Sequence, residues 1–428
     1  MELYSENKNY KLYQGNMLDM LEVIEPNSID SIVTDPPYEL NFMGKGWDNA
    51  GISFQSDTWK KCYEVLKPGG YLLAFGGSRT FHRIAYAIED AGFEIRDTIM
   101  WLYGSGFPKS MSLGKVIEGK QVLGSANVRD IKKLDGEKEI VVGGWNSNEV
   151  EQGKRKTEYE QVKTTVNYTT ELGKKYDGWG TALKPSFEPI IVARKPFKGS
   201  LVDNVIEYGV GGINIDECRV EHNETQKYTN RKPKNGEVFN TNTSGYDNTK
   251  NHIASASPNG RFPANTILTY DETDFDEVCR GFPYTKSTGG SASRYFYCAK
   301  ASKKDRDEGL DEFEESKTTD GCIRTNQETA RTFGANSALR KNTHPTVKPT
   351  SLMQYLVRLI TPNGGTVLDC FNGSGSTGKA VMYENKERNK NYKYIGIELT
   401  EEYLPIAKAR IEYVCGETQV QTKWEDLD

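Results

Sequence analysis

IDSIVTDPPY, residues 29–38, joins a short buried strand to a turn and decides the fold of this chain. The run Ile29–Thr34 predicts a strand inside a parallel sheet. It stops at Pro36-Pro37, because proline can neither donate to a strand ladder nor continue a central strand. Asp35 and Tyr38 are therefore predicted to stand at the carboxyl end of a strand, where side chains of open sheets meet ligands.

Helices and strands alternate outward from this stretch. Apolar residues recur at helical spacing between Ser56 and the Pro68-Gly69-Gly70 turn, and a strand is predicted at 71–75. The alternation predicts an α/β fold with a Rossmann-like, doubly wound, mostly parallel sheet. The other predicted elements are helices at 81–88, 352–359, from the glycine-rich turn to 386 and after Thr400, and strands at 93–103, 366–369 and 394–398.

Two polar stretches separate the ends that carry this alternation. Residues 111–178 and 200–343 lack sustained periodicity, and 223–260 is especially polar. Between them, LKPSFEPIIVARK at 183–195 has strand composition and is predicted to rejoin the sheet. A hydrophobic content of 36% in 428 residues agrees with a normal core diluted by long polar connections.

Charge and cysteine content narrow the class of protein. A formal net charge of -5 argues against a protein that nucleic acid holds through its overall field, although local basic stretches can still contact phosphates. The seven cysteines are scattered without a CxxC pair, which predicts reduced thiols and no metal site. The N-terminus has no apolar leader and no apolar run approaches the ~20 residues that span a bilayer, so a soluble, cytoplasmic protein without a membrane partner is predicted.

The residues Asp35-Pro36-Pro37-Tyr38 suit chemistry on an exocyclic amino group. Such a nitrogen is a poor nucleophile because its lone pair is delocalised into the ring. A carboxylate that accepts one N–H and the Pro36 carbonyl that accepts the other would aim the lone pair, while Tyr38 stacks on an extruded base. On the motif alone, a strand-terminating turn with an exposed tyrosine stays open.

A second motif, DCFNGSGSTG at 369–378, runs from a strand end through glycines into a helix. Such a turn lets the backbone approach a ligand, and Glu398 at the next strand end suits the hydroxyls of a ribose. Residues 373–379 also fit part of a phosphate-binding loop, but Ala380 stands where a magnesium-binding hydroxyl is needed. The spacing of Gly373, Gly375 and Gly378 fits a nicotinamide dehydrogenase as well, and this alternative stays open at this point.

DPPY, HPTVKP at 344–349, DCFNGSGSTG and GIEL at 396–399 follow one another in the order that resembles the beta-class DNA amino-methyltransferases. The likeness covers residues 10–110 and 344–415 and the 183–195 stretch. It implies S-adenosylmethionine as cofactor, double-stranded DNA as partner, base flipping, and adenine N6 as target, since relatives that methylate cytosine N4 usually carry Ser in place of Asp35. Cytosine N4 methylation and a non-catalytic DNA-binding protein with a vestigial cofactor fold are the alternatives, and RNA is a more distant substrate.

The resemblance also implies roles for individual residues. Two departures concern the family's Gly-Asp, here Gly15-Asn16, and its proline after Asp369, here Cys370. An asparagine carbonyl can still accept the hydrogen bond in question. The implied catalytic residues are Asp35, Pro36, Pro37 and Tyr38, and the implied cofactor-binding residues are Asn16, Asp35, His344, Thr346, Lys348, Asp369, Phe371, Gly373, Ser374, Gly375, Ser376, Thr377 and Glu398.

The same likeness divides the chain. Residues 1–110 carry the catalytic part, 111–178 a polar insertion, 179–199 a return to the sheet, 200–343 the target-recognition region and 344–428 the cofactor-binding part. The acidic run 307–315 is expected to be solvated surface. A homodimer and a cognate restriction endonuclease are further partners that the family allows. The predicted DNA contacts, for which a solvated charged face is the alternative, are Tyr38, Lys286, Arg294, Tyr295, Lys300, Lys303 and Lys304.

Overall fold

The computed structural model describes residues 2–40, 51–103, 110–127, 135–142, 160–220, 260–269, 296–298, 300–317 and 339–416. It describes only the backbone of residues 135–142, 160–166, 296–297 and 317. The chain forms two compact units, one of Met1–Gly104 with Phe187–Asp428 and one of Ser105–Ser186.

The larger unit is built on one sheet of ten strands, with the order β1-β2-β14-β13-β3-β4-β8-β5-β9-β10. Strands β2, β14, β13, β3 and β4 run parallel, and β8 lies antiparallel between β4 and β5. The predicted mostly parallel α/β sheet is confirmed. The strands are β1 Glu2–Glu6, β2 Tyr10–Gln14, β3 Ile29–Thr34, β4 Leu66–Phe75, β5 Glu94–Leu102, β6 Asp135–Val142, β7 Glu160–Val166, β8 Phe187–Arg194, β9 Thr266–Leu268, β10 Phe296–Tyr297, β11 Ser316–Lys317, β12 Leu339–Arg340, β13 Thr366–Asp369 and β14 Lys393–Glu398.

Helices cover both faces of this sheet, as a doubly wound fold requires. One apolar cluster contains Trp59 and Ile84 and lies on the side of α2 and α3, and the other contains Leu356 and Ile411 on the side of α8 and α10. The described helices are α1 Met17–Leu21, α2 Ser56–Val65, α3 Phe81–Asp90, α4 Leu113–Leu123, α5 Glu171–Lys175, α6 Leu201–Tyr208, α7 Lys303–Asp307, α8 Thr350–Ile360, α9 Ser376–Arg388 and α10 Leu404–Cys415.

Strands β3 and β13 are neighbours in the sheet. Val367 pairs with Ser31 and Leu368 with Ile32 in parallel register. At their carboxyl ends the Thr34 hydroxyl donates to Asp369 Oδ1 at 2.6 Å. The two motif-bearing stretches, more than three hundred residues apart in sequence, therefore end side by side.

The beginning of β4 differs from the sequence prediction. A turn at Pro68-Gly69-Gly70 was predicted before a strand at 71–75, yet β4 already begins at Leu66, directly after α2. The two glycines pair with Lys195, the residue after β8, since Gly69 N donates to Lys195 O at 2.9 Å and Lys195 N donates to Gly70 O at 2.9 Å. Gly69 has a φ of 82°, which a side chain would resist.

The acidic run 307–315 is only in part the solvated surface that its composition predicts. Glu308 lies 2.8 Å from Lys379 Nζ and accepts a hydrogen bond from the Tyr383 hydroxyl at 2.8 Å. Leu310 is fully buried, whereas the Asp311 side chain is 91% exposed. The start of the run therefore packs against α9, because Lys379 compensates the charge of Glu308. Lys379 is distant in sequence, so no local pattern reveals this pair.

The smaller unit contains α4, α5 and an antiparallel β6–β7 hairpin. Within this unit the buried Glu118 carboxylate connects α4 to the segment before α5, because it accepts from Thr169 N and Oγ1 at 2.6 Å each and from Thr170 N and Oγ1. Burial opposes ionisation, but these hydrogen bonds lower the pKa of Glu118 to about 2. None of the helices in the described part of the chain is long and apolar enough to cross a bilayer.

Candidate active site at the carboxyl ends of the strands

Asp35 follows β3 at the edge where the parallel strands end, and its carboxylate is held by a lysine from the segment before α8. Lys348 Nζ donates to Asp35 Oδ2 at 2.6 Å. The two side chains are 9% and 20% exposed, so this ion pair is largely shielded from water. The DPPY and HPTVKP motifs are therefore in contact through the Asp35 carboxylate.

Glu188, at the start of β8, completes the group. The Tyr38 hydroxyl donates to Glu188 Oε2 at 2.9 Å, and the same oxygen lies 3.4 Å from Lys348 Nζ. Because β8 runs antiparallel, its first residues reach the edge where its parallel neighbours end. The sequence analysis did not single out Glu188. The feature that could have revealed it is an acidic residue at the start of a strand that is predicted to rejoin the sheet.

One carboxylate oxygen in this pocket has no hydrogen-bond partner among the described residues. Asp35 Oδ1 is fully buried and accepts no hydrogen bond from any residue that the structure describes. Burial raises the pKa of Asp35, and the Lys348 ammonium opposes that rise. Two carboxylates and one ammonium leave the pocket with an excess negative charge. A cationic or N–H-bearing ligand therefore suits it.

The turn that carries Asp35 is held from the surrounding loops. Pro36 and Pro37 are buried, and Ser53 Oγ donates to the Pro37 carbonyl at 2.8 Å. Thr80 Oγ1 donates to the Tyr38 carbonyl at 2.9 Å. These bonds hold the backbone of the second half of the motif, so Tyr38 projects from a fixed turn.

The glycine-rich turn lies at the end of the neighbouring strand β13. Gly373 and Gly375 have φ values of 52° and 73°, a region that glycine enters without steric cost. A Cβ on Gly373 would stand 2.9 Å from His344 Nε2, and one on Gly375 would stand 3.0 Å from Ala407 Cα. Glycine is therefore needed at both positions for conformation and for close approach.

Glu398, at the end of β14, closes this turn from the side. Its Oε2 accepts from Gly373 N at 2.6 Å and its Oε1 from Thr400 N at 2.8 Å. Burial raises the pKa of Glu398, and the two backbone N–H groups oppose that rise. The residue is 8% exposed, so the carboxylate is buried beside the turn.

Asp369 fastens the base of the turn. Its two oxygens accept from Thr34 Oγ1 and Thr377 Oγ1, each at 2.6 Å, and Phe371 N donates to Oδ1 at 3.1 Å. Burial raises the pKa of Asp369 to about 6. These bonds give the carboxylate a structural task, which is to connect β3, β13 and α9 below the turn.

Two buried cations support the turn from behind. Arg410 donates to the Ser374 carbonyl at 2.7 Å, to Ser374 Oγ at 3.0 Å and to Ser376 Oγ at 3.2 Å. Lys379, the residue that would serve a phosphate-binding loop, is fully buried and pairs with Asp305 at 3.0 Å and Glu308 at 2.8 Å. Its ammonium is thus committed to protein carboxylates, which further disfavours a nucleotide triphosphatase.

The remaining predicted cofactor residues lie around this edge. The His344 ring packs edge-on against Tyr403 with centroids 4.5 Å apart, and burial lowers the pKa of His344 to about 3. Thr346 is exposed beside it. Asn16 follows β2 and caps α1, because its Oδ1 accepts from Leu18 N at 3.0 Å. Phe371 packs against Trp59.

The predicted DNA contacts are placed only in part. Lys286, Arg294 and Tyr295 lie outside the described residues. Lys300 Nζ stands 3.8 Å from the centroid of the Tyr103 ring. Lys303 is exposed and pairs with Glu315 at 3.1 Å, and Lys304 is exposed. Their contact with DNA stays a prediction.

The chain matches known proteins over most of its length. The model of the N6/N4 methyltransferase family, described as DNA methylase, matches residues 29–409. Among curated relatives, the type II methyltransferase M.HpaI of Haemophilus parainfluenzae is 34% identical over 109 residues, which is 23% of this chain and 34% of that protein. The type II methyltransferase M.HindIII of Haemophilus influenzae is 21% identical over 248 residues, which is 47% of this chain and 64% of that protein.

Both alignments thus span less than two thirds of the relatives' own lengths. Among solved structures, the cytosine-N4-specific PvuII DNA methyltransferase is similar with 12% identity and a TM-score of 0.40, covering 97% of this chain and 94% of that one. Membership of a family is shown by the match to the family model. Because that match spans both motif-bearing ends and the region between them, this chain belongs to the N6/N4 DNA methylase family.

Proposed function

We propose that this chain transfers a methyl group from S-adenosylmethionine to an exocyclic amino group in duplex DNA, with adenine N6 as the target. The observation that carries the proposal is the buried Asp35 Oδ1, which has no partner in the described part of the chain, on the strand next to the one that leads into the glycine-rich turn. The family includes N6 and N4 enzymes. Adenine is preferred here because Asp35 stands where relatives that methylate cytosine usually carry Ser.

The residues at this edge suit S-adenosylmethionine. The excess negative charge of the pocket suits a sulfonium, and the Glu398 carboxylate suits ribose hydroxyls. None of the described side chains caps the N-terminus of α9, so its N–H groups suit a carboxylate. Contacts from Asn16, His344, Thr346 and Phe371 are part of the proposal. When bound, the cofactor supplies an electrophilic methyl group on a cationic sulfur.

The residues of the pocket then have distinct tasks. Asp35 Oδ1 accepts one N–H of the target amino group, the Pro36 carbonyl accepts the other, and the lone pair is thereby directed outward. Positive charge would grow on the nitrogen as the N–C bond forms and the methyl–sulfur bond breaks, with a neutral thioether as the leaving group, and the Asp35 carboxylate would stabilise that charge. The released proton passes from the nitrogen to water beside Asp35. Tyr38 stacks on the flipped base.

The direct experiment is mass spectrometry of nucleosides from duplex DNA incubated with the protein and methyl-labelled S-adenosylmethionine. The expected product is labelled N6-methyladenine. Labelled N4-methylcytosine would keep the reaction and overturn the choice of base. Absence of both products, despite measured cofactor binding, would overturn the enzymatic proposal and favour a non-catalytic DNA-binding protein.

The DNA partner enters through membership of the family. Contacts by the 200–343 region, including Lys300, Lys303 and Lys304, would position the duplex through its phosphates. A homodimer and a cognate restriction endonuclease stay predictions from the family resemblance. Mapping of modified bases in a host that expresses the chain would give the recognition sequence.

A further inference from the structure

We infer that Glu188 and Lys348 form a positioning pair that sets how Asp35 and Tyr38 meet the substrate base. The inference rests on the proposed function and deepens it, because it assigns a task to a glutamate outside every motif. Neither residue of the pair needs to touch the reacting nitrogen. They act through Asp35, which contacts the amino group, and through Tyr38, which stacks on the base.

Lys348 determines which oxygen of Asp35 is available. Its ammonium binds Oδ2 at 2.6 Å, while Oδ1 stays buried without a partner among the residues that the structure describes. A carboxylate held at one oxygen cannot rotate freely about its Cβ–Cγ bond. The remaining acceptor is therefore presented in one direction, as a preorganised site requires.

Glu188 anchors both partners of this arrangement. It accepts the Tyr38 hydroxyl at 2.9 Å, which fixes the tilt of the ring that is proposed to stack on the base. It also lies 3.4 Å from Lys348 Nζ, so the ammonium is held between two carboxylates. The Lys348 ammonium stands 4.8 Å from the Phe75 ring centroid and 5.3 Å from that of Tyr38, which adds cation–π attraction.

The charged and titratable groups that face Asp35 come from four elements. Lys348 precedes α8, Glu188 begins β8, Tyr38 belongs to the same turn, and Asp369 ends β13. Burial raises the pKa of Asp35, Lys348 lowers it and Glu188 raises it. Loss of the Glu188 charge should thus lower the pKa of Asp35, and loss of the Lys348 charge should raise it.

The test compares Glu188→Gln and Lys348→Met with wild type in single-turnover methyl transfer across pH. Methyl transfer requires ionised Asp35, so the rate falls as pH falls through the pKa of Asp35. The acid limb is expected to move to lower pH in Glu188→Gln and to higher pH in Lys348→Met. The plateau rate is expected to fall by about 10²-fold in Lys348→Met, as for a misplaced reacting group. Glu89→Gln, on the exposed face of α3, is the matched control.

A second readout does not depend on activity. In DNA with 2-aminopurine at the target position, the fluorescence of the flipped base reports its stacking on Tyr38. Glu188→Ala is expected to change this signal, whereas Glu188→Gln, which can still accept the Tyr38 hydroxyl, is expected to restore it.

Acid limbs that stay at the wild-type pH in both variants, or shift together in one direction, would overturn the inference while wild-type activity upholds the proposed function. An unchanged fluorescence signal in Glu188→Ala would likewise overturn the anchoring of Tyr38. Wild-type protein without transfer would overturn the proposed function itself.

Discussion

Two clusters of buried charge lie within the larger unit, and they are completed differently. The pocket cluster consists of Asp35, Tyr38, Glu188 and Lys348, and the support cluster of Asp305, Glu308, Lys379 and Arg410. In the pocket cluster two carboxylates share one ammonium and Asp35 Oδ1 has no partner among the described residues. In the support cluster Asp305 and Glu308 both pair with the Lys379 ammonium, and Asp305 also accepts from Thr350. Arg410 donates to the Asp305 backbone carbonyl at 3.3 Å and its charge balances the second carboxylate, although its Nε has no partner among the described residues.

The difference indicates a division of tasks. Each cluster keeps one buried polar atom without a described partner, so that feature alone does not separate them. Only the pocket cluster also has more carboxylates than cations, which suits a ligand that brings N–H groups or positive charge. A neutral, multiply bonded cluster serves to hold elements together. Substitutions in the support cluster should therefore act on stability, whereas substitutions in the pocket cluster should act on methyl transfer.

Lys379→Met should have the largest effect on stability. It leaves Asp305 and Glu308 facing each other without their ammonium, and loss of one partner of a buried ion pair costs about 3–5 kcal/mol. Urea unfolding measures the change in the free energy of unfolding. Lys386→Met, at an exposed position of the same helix α9, is the control. If both variants unfold alike, the support cluster does not stabilise the fold.

His344→Gln should change how stability depends on pH. Burial lowers the pKa of His344 to about 3 from an ordinary 6.5, so the folded state binds its proton less readily than the unfolded state. The contribution of the neutral His344 ring to folding stability is fully present above pH 6.5 and is lost as pH falls toward 3. The variant should therefore lose less stability than wild type on acidification in urea titrations. Parallel curves for the two proteins would show that His344 is not buried as a neutral ring.

Asp369→Asn should give the opposite sign over an overlapping window. The pKa of Asp369 is raised from 3.8 to about 6, so its contribution to stability is present below 3.8 and lost as pH rises to about 6. Relative to wild type, the variant should thus gain stability as pH rises through this window. Denaturant midpoints at several pH values measure it, and a difference that does not vary with pH would refute the raised pKa.

Asn16→Asp should have the smallest effect. Asparagine and aspartate cap helices about equally well, so α1 should keep its stability within about 0.5 kcal/mol. The substitution restores the family residue and should tighten binding of S-adenosylmethionine, measured by calorimetry. Asn16→Ala serves as the reference, with an expected loss of about 1 kcal/mol from the missing cap. Weaker cofactor binding in Asn16→Asp would count against a cofactor contact at this position.

The sequence was sufficient where local signals are strong. The strands Ile29–Thr34 and Thr366–Asp369 were predicted with the bounds that the structure gives, because proline or a glycine-rich turn follows each apolar run. The proposed chemistry requires these two strands to end side by side, and they do. Where Pro68-Gly69-Gly70 suggested a turn, pairing with β8 prevailed and the strand began earlier.

Contacts between distant residues could not be predicted in the same way. Glu188 meets Tyr38 across 150 positions and Asp305 meets Lys379 across 74, and no periodicity reports such pairs. The acidic run is predicted to be solvent-exposed because the sequence shows its charge but does not show that Lys379 pairs with Glu308. Lys379 was weighed as part of a phosphate-binding motif, whereas its location assigns it to the support cluster.

The role of Asp35 in methyl transfer is the central claim, and one comparison of two variants tests that role directly. Single-turnover methyl transfer and equilibrium binding of S-adenosylmethionine should be measured for Asp35→Ala beside Asp90→Ala, an exposed position on α3. We predict that Asp35→Ala lowers the transfer rate by at least about 10²–10³-fold, whereas cofactor affinity falls far less, because the residues of the glycine-rich turn still bind the cofactor. Transfer by Asp35→Ala at the wild-type rate would contradict the role assigned to the buried carboxylate oxygen.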